Sequence, residues 1–376
     1  MRTAAGPKQS EAPAGPAAAA ATKRLVSLDA FRGWTMFWII GGTSIVDGLQ
    51  ALGQNPVIAT LVYQLNHTPW QGLRYYDVIW PSFMLMTGMS VPFSYARRSQ
   101  AQSYRDILLR VIRRVIVLLF LGSLRESVSL NGFYLVELSS ALQPIAIAYL
   151  AAFLLVRQTW RFQAGVAAGI LIGYAFLLAF VPAPGVPAGS YANGANLVAA
   201  IDLAVLGRTH PEGWGTVLST IPTIATTIVG MLIGRLLLSP RTERSKLVTI
   251  GLVGAGGVVL GVALDPIVPI VMKLWTTSYG IASAGWACLL FLVFYWAIDV
   301  GGHRRWAFPL VVIGMNAVAV YMSRSLIPLP KIVGIYSGGM AAAIGAFGPL
   351  FQALTVLLVE WLILYWMYRR KIFLTA

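Results

Sequence analysis

The sequence predicts an all-α, polytopic integral membrane protein of about ten transmembrane helices, with the N- and C-termini cytoplasmic. Three observations predict it. Hydrophobic residues make up 57% of the 376 residues and charged residues only 11%, with a mean hydropathy of +0.73. A soluble domain carries about 25% charged residues, so this chain has too few to cover a water-facing surface. Apolar runs of about 20 residues, the length that crosses hydrocarbon as a helix, recur along the chain. Basic residues then fall mainly on alternate connections, as the positive-inside rule requires. The net charge of +15 is read as cytoplasmic loop charge, and no nucleic-acid partner is expected. Cys288, the only cysteine, excludes a disulfide scaffold.

Residues 1–22 are rich in Ala, Pro and Gly and lack the apolar centre of a signal peptide; they read as a disordered cytoplasmic tail. Residues 23–376 read as a single membrane domain. The expected spans are 26–47, 75–97, 105–123, 134–156, 162–181, 216–238, 247–265, 277–299, 306–326 and 347–369. The stretch 327–346, with Pro328, Pro330 and four glycines, leaves room for a re-entrant piece. With this topology the cytoplasmic connections hold Arg97, Arg98, Arg105, Arg157, Arg161, Arg241, Arg244, Lys246, Arg304, Arg305, Arg369, Arg370 and Lys371. The outer ones hold only Arg74, Arg125, Arg208, Lys273 and Lys331. Two outer loops, 48–74 and 182–215, are longer than a helical hairpin needs. Such loops are usually functional, which places the chemistry on the outer side.

Ionisable groups in spans are costly and tend to be paired or functional. Asp29 and Arg32 form either an interfacial pair or an anion site facing the bundle. Arg110, Arg113 and Arg114 serve either as lipid-headgroup anchors or as a grip on a polyphosphate, which guanidinium matches bidentately. His67 stands in the outer stretch NHTPWQG, near Trp70 and Tyr75 and ahead of Asp77. Histidine exchanges protons near neutral pH, and a carboxylate at Asp77 is placed to orient its ring. The alternative is a solvated loop histidine among interfacial aromatics. Glu212, after His210, either contacts a substrate or caps the next helix. His303 reads as solvated. Among Asp265, Asp299 and Glu360, only Glu360 is deep in a span. Trp275, Ser278 and Tyr279 form a cluster at the outer end of one span, and Asn316, Tyr321 and Arg324 lie along another. Nothing resembles a metal motif, a phosphate-binding loop or a serine-hydrolase elbow, so no metal is expected.

Taken in order, RLVSLDAFRG (24–33), HTPWQGLRYYDVIWPSFMLMTG (67–88), LQPIAIAY (142–149), PEGWGTVLSTIPTIATTIVGMLIG (211–234), LWTTSY (274–279), GMNAVAVY (314–321) and YRRKIF (368–373) resemble one family. It is the transmembrane acyltransferase family typified by lysosomal heparan-α-glucosaminide N-acetyltransferase, with bacterial relatives that carry a domain of unknown function. The resemblance spans nearly everything after residue 23. It implies transfer of an acetyl group from cytoplasmic acetyl-CoA to the amine of a terminal amino sugar outside, across a bacterial cytoplasmic membrane. It implies His67 as general base or acetyl carrier, with Asp77 beside it. Arg32, Arg110, Arg113 and Arg114 become candidates for the CoA phosphates. Trp70, Glu212, Trp275, Ser278, Tyr279, Asn316 and Arg324 become candidates for the acceptor pocket. Thr43, Gln71, Pro144 and His210 depart from the family pattern and bear on acceptor identity. The expected partners are the lipid bilayer, acetyl-CoA and the amino-sugar acceptor; a homodimer stays open. The rival is a secondary transporter or sugar permease without transfer chemistry, for which paired intramembrane carboxylates and an inverted repeat are expected.

Overall fold

The computed structural model describes residues 25–53, 55–133, 138 and 140–374. The 1–22 tail and the basic pair Lys23 and Arg24 lie outside the described residues.

The chain is an all-α membrane protein. Its helices are α1 Val26–Ala51, α2 Pro56–Leu65, α3 Ile79–Arg98, α4 Tyr104–Ser129, α5 Leu142–Leu154, α6 Trp160–Phe180, α7 Leu197–Leu206, α8 Thr220–Leu238, α9 Glu243–Leu264, α10 Thr277–Phe294, α11 Phe308–Met315, α12 Ala317–Leu326, α13 Leu329–Ala343 and α14 Gly348–Arg369. A two-stranded hairpin, Tyr191–Ala192 with Ala195–Asn196, lies in the outer loop before α7. Several helices begin on hydroxyl caps: Ser103 Oγ accepts from the Asp106 amide, Thr159 Oγ1 from Phe162 and Thr242 Oγ1 from Ser245.

Among the described residues, five helices are long and apolar enough to cross a membrane, or six if the bent pair α11–α12 counts as one span. The other expected spans contain helices of a different kind. α1, α3 and α4 carry charged or polar residues along their length, and α5 has only 13 residues. The expected 134–156 span is helical only from 142, and residues 134–137 and 139 lie outside the described set. The expected 306–326 span is broken by 71° at Asn316. The stretch 327–346 contains α13, which packs on α14. The outer surface of the bundle is apolar: Phe120, Phe176, Leu252, Val259 and Trp366 are all exposed. In α9 only 17% of the apolar window is buried within the protein, so most of that helix faces lipid.

Two close crossings set the interior. A Cβ at Gly33 of α1 would lie 1.8 Å from the Leu310 carbonyl oxygen of α11, and one at Gly314 would lie 2.0 Å from the Asp29 carbonyl. Likewise a Cβ at Gly88 of α3 would meet the Thr227 carbonyl of α8 at 1.8 Å, and one at Gly230 the Leu85 carbonyl at 2.0 Å. Glycine is required at such backbone contacts. The second crossing also positions the chemistry, because it holds the outer ends of α3 and α8 side by side. The loops that precede those two helices therefore face each other.

Candidate functional site

The stretch from Asn66 to Arg74 leads from α2 into a short 3₁₀ turn, Tyr75–Val78, ahead of α3. It is fastened at many points. Gln64 Oε1 accepts from the Tyr75 amide at 3.0 Å, Arg74 Nη1 donates to the His67 carbonyl at 3.1 Å, and the Gly72 amide donates to the Ile270 carbonyl at 2.8 Å. Trp70 Nε1 donates to the Tyr191 carbonyl at 2.8 Å. Lys273 Nζ donates to the Glu212 carbonyl at 2.7 Å, and the Gly215 amide to the Lys273 carbonyl at 2.9 Å. Three outer segments far apart in sequence are thus tied into one assembly.

At its centre, His67 Nδ1 lies 2.8 Å from Asp77 Oδ1. Asp77 is fully buried. Its other oxygen accepts from Thr68 Oγ1 at 2.6 Å and from the Arg74 amide at 2.9 Å, while its carbonyl accepts from Tyr279 Oη at 2.7 Å. A buried carboxylate so fully bonded is fixed in place. It holds the Nδ1–H tautomer of the imidazole and leaves Nε2 as the basic nitrogen. The Tyr76 and Trp214 rings pack edge-on against His67, with centroids at 4.7 and 5.7 Å.

His67 lines a cavity of about 450 Å³ that runs from the outer loops into the bundle. Met36, Trp80, Phe83, Ile145 and Tyr321 give it apolar and aromatic walls; Arg125, Glu126, His210 and Glu212 give it polar ones. Burial pushes the His210 imidazole below its ordinary value, against the pull of Glu212, and its Nδ1 accepts from the Glu212 amide at 3.2 Å. Glu212 accepts from Trp214 Nε1 at 3.0 Å and caps no helix. The amides of Thr216 and Val217, ahead of α8, go instead to Asp202.

A second cavity, of about 560 Å³, lies between α4, α12 and α14 and is almost wholly apolar, with Glu360 and Ser323 on its wall and Leu374 at one end. Val318 of α12 lines both cavities. α4 and α12 contribute to the walls of both.

No match is found among protein-family models or among curated proteins. The site therefore stands on its own geometry.

The structure brings together His67, Asp77 and Glu212 but not the other sequence candidates. Trp70 is turned toward the Tyr191 hairpin. Trp275 and Tyr279 are buried behind the cavity, where Trp275 packs edge-on against Trp80 at 5.0 Å; Ser278 lies 3.2 Å from Thr276 Oγ1. These residues brace the loops and do not line the pocket. Asn316, fully buried at the helix break, binds the C-terminal segment: its Nδ2 donates to the Ile372 carbonyl at 3.2 Å and its Oδ1 accepts from the Leu374 amide at 2.9 Å. Arg324 donates to Ser44 Oγ at 3.0 Å and lies 4.0 Å from Glu360.

The arginines also separate. Arg110 and Arg113 are exposed on the face of α4 that carries exposed Leu109, Ile112 and Ile116, the position of headgroup anchors. Arg114 turns inward over the Tyr149 ring at 4.8 Å, and its buried Nε has no hydrogen-bond partner among the described residues. Arg32 is half-buried and lies 3.4 Å from Asp29. Sequence reasoning missed Arg125, Glu126 and Trp214 as cavity residues and read Tyr321 only as a neighbour of Asn316 on its span. For Arg125 and Glu126 the signal was polarity at the end of an apolar run, since α4 closes with Arg125, Glu126 and Ser129.

Proposed function

We propose that this chain is a membrane acyltransferase. In this reading it moves an acetyl group from cytoplasmic acetyl-CoA to the amine of a glucosamine-like terminal amino sugar outside, and it spans a bacterial cytoplasmic membrane ten times. The observation that carries the reading is the 2.8 Å His67–Asp77 pair on the wall of an outer cavity. Such a pair suits a general base better than a structural histidine, because the carboxylate orients the ring and stabilises the imidazolium.

Nε2 of His67 takes a proton from the acceptor ammonium. The freed amine attacks the thioester carbonyl carbon; a C–N bond forms and the C–S bond breaks. The surplus proton on the new amide nitrogen goes to the departing thiolate, giving the CoA thiol, and His67 releases its proton to the outer water. The same pair serves a route in which the imidazole first carries the acetyl group. An acetyl-enzyme burst without acceptor distinguishes that route. On the donor side, Arg114, turned over the Tyr149 ring, and half-buried Arg32 are the candidates for the CoA phosphates.

The test is acetyl transfer from acetyl-CoA to glucosamine by purified protein in liposomes. His67→Ala is expected to lower the rate by at least about 10²-fold. Unchanged turnover in a folded His67→Ala protein removes the histidine from the reaction. Half-buried Arg324 lies 4.0 Å from buried Glu360 on the wall of the second cavity, and this intramembrane charge pair supports the rival permease reading; solute uptake without any acetylated product would favour it.

A further inference from the structure

The outer cavity has a charged wall that the proton chemistry leaves unused. Arg125 and Glu126 end α4, and Tyr321 of α12 stands beside them. Glu126 is 5% exposed, and its Oε1 accepts from Arg125 Nη1 at 2.6 Å. The guanidinium lies over the Tyr321 ring at 4.5 Å. Arg125 is thereby held from two sides, and it fixes Glu126 against the cavity. Glu212 supplies a second carboxylate to the lining of the same cavity. Lys273 Nζ donates to the Glu212 backbone carbonyl at 2.7 Å, outside the cavity lining. Two carboxylates and one guanidinium therefore line the space beside His67, whose Trp214 neighbour is bonded to Glu212. Carboxylates on a cavity wall beside a base suit an ammonium ion, which brings a charge and three donors.

We propose that Glu126 and Glu212 capture the acceptor as its ammonium ion, with Arg125 as the residue that positions Glu126. The inference rests on the acyl-transfer reading for the fate of the captured amine, but binding itself needs no donor. The pair selects an amino sugar over the corresponding neutral sugar: an ammonium offers three donors and a charge where a hydroxyl offers one donor and none. It also orders events, since the amine arrives protonated and becomes a nucleophile only when His67 removes the proton.

The experiment measures binding of glucosamine and of glucose by tryptophan fluorescence, in nanodiscs and without acetyl-CoA; Trp80 and Trp214 line the cavity and report its occupation. The wild type is expected to bind glucosamine about tenfold more tightly than glucose, the size of one charge-assisted hydrogen bond. The preference should weaken in Glu126→Gln, which keeps an acceptor for Arg125, and vanish in the double variant with Glu212→Gln. Glu212 is exposed, so Glu212→Gln alone carries the test if the Glu126 variant misfolds. In transfer assays both single variants should raise KM for glucosamine with little change in kcat. Equal binding of the two sugars by the wild type, or an undiminished preference in the double variant or in Glu212→Gln, overturns the proposal. Absence of acetyl transfer combined with an intact, Glu-dependent preference would sink the acyltransferase reading and leave this site standing.

Discussion

The two ends of this bundle are built on different principles. At the His67 end, segments around residues 70, 212 and 271 are tied by backbone and side-chain hydrogen bonds into one assembly around a buried carboxylate. At the opposite end the charges are basic and dispersed: Arg110 and Arg113 stand on an exposed helix face, Arg157 lies over Tyr104 at 5.3 Å, and Arg235 donates to the Gln158 carbonyl. One end presents a preorganised constellation and the other a basic rim. The difference teaches where specificity is stored. A fixed hydrogen-bond network resolves geometry to fractions of an ångström, whereas a solvated rim attracts charge without orienting it.

Breaking the outer network should have the largest effect. Asp77→Asn exchanges an acceptor that holds Nδ1–H for a group able to donate to it, and transfer should fall by about 10²-fold or more. Circular dichroism must remain helical for the result to count. Wild-type rates in that variant would mean that the pairing is structural.

The next effect probes α12 at Val318, which lines both cavities. Val318→Trp fills space there, and transfer should fall by at least about tenfold with glucosamine binding weakened less. Unchanged transfer would show that the reaction does not use the space at Val318.

At the cytoplasmic rim the effects should be smaller and should divide by orientation. Arg114→Ala is expected to weaken acetyl-CoA binding about threefold or more at low salt and less at high salt. Arg110→Ala with Arg113→Ala should leave donor affinity unchanged and alter only the interaction with anionic lipid. The reverse pattern would assign the phosphate grip to the exposed pair.

The smallest effect concerns pH. The folded protein holds His210 below its ordinary value, so the stabilisation from its neutral form is present above that ordinary value and is lost as pH falls through the folded one. Hydrogen exchange in residues 207–219 should therefore accelerate on mild acidification, and His210→Gln should flatten the response. Acid-independent exchange in the wild type would contradict the burial of that ring.

Much of the bundle was legible because the bilayer imposes a simple demand. Long apolar runs must become helices, since lipid offers no partner for a bare backbone. The bend at Asn316 was not legible: the run 306–326 is long enough for one span with Asn316 as a single polar point at its middle, and the break accompanies the bonds that Asn316 makes to the C-terminal segment. His67 and Asp77 were readable as a pair because ten residues and one turn separate them. Trp275 and Tyr279 read as pocket residues, since aromatic clusters near a site look alike whether they touch a ligand or brace the loops behind it.

By itself the sequence determined that this protein lives in a membrane as helices, and it set an imidazole and a carboxylate ten residues apart. Composition and local spacing suffice for both, because hydrophobicity and short-range chain geometry are properties of neighbouring residues. Only the tertiary structure decided that the His67 ring meets the Asp77 carboxylate, that Arg125 and Glu126 share a cavity with His67, that α12 lines two cavities, and that one arginine of three turns inward. Those outcomes depend on which helix faces meet, and the facing of one helix toward another is set by packing among residues hundreds of positions apart.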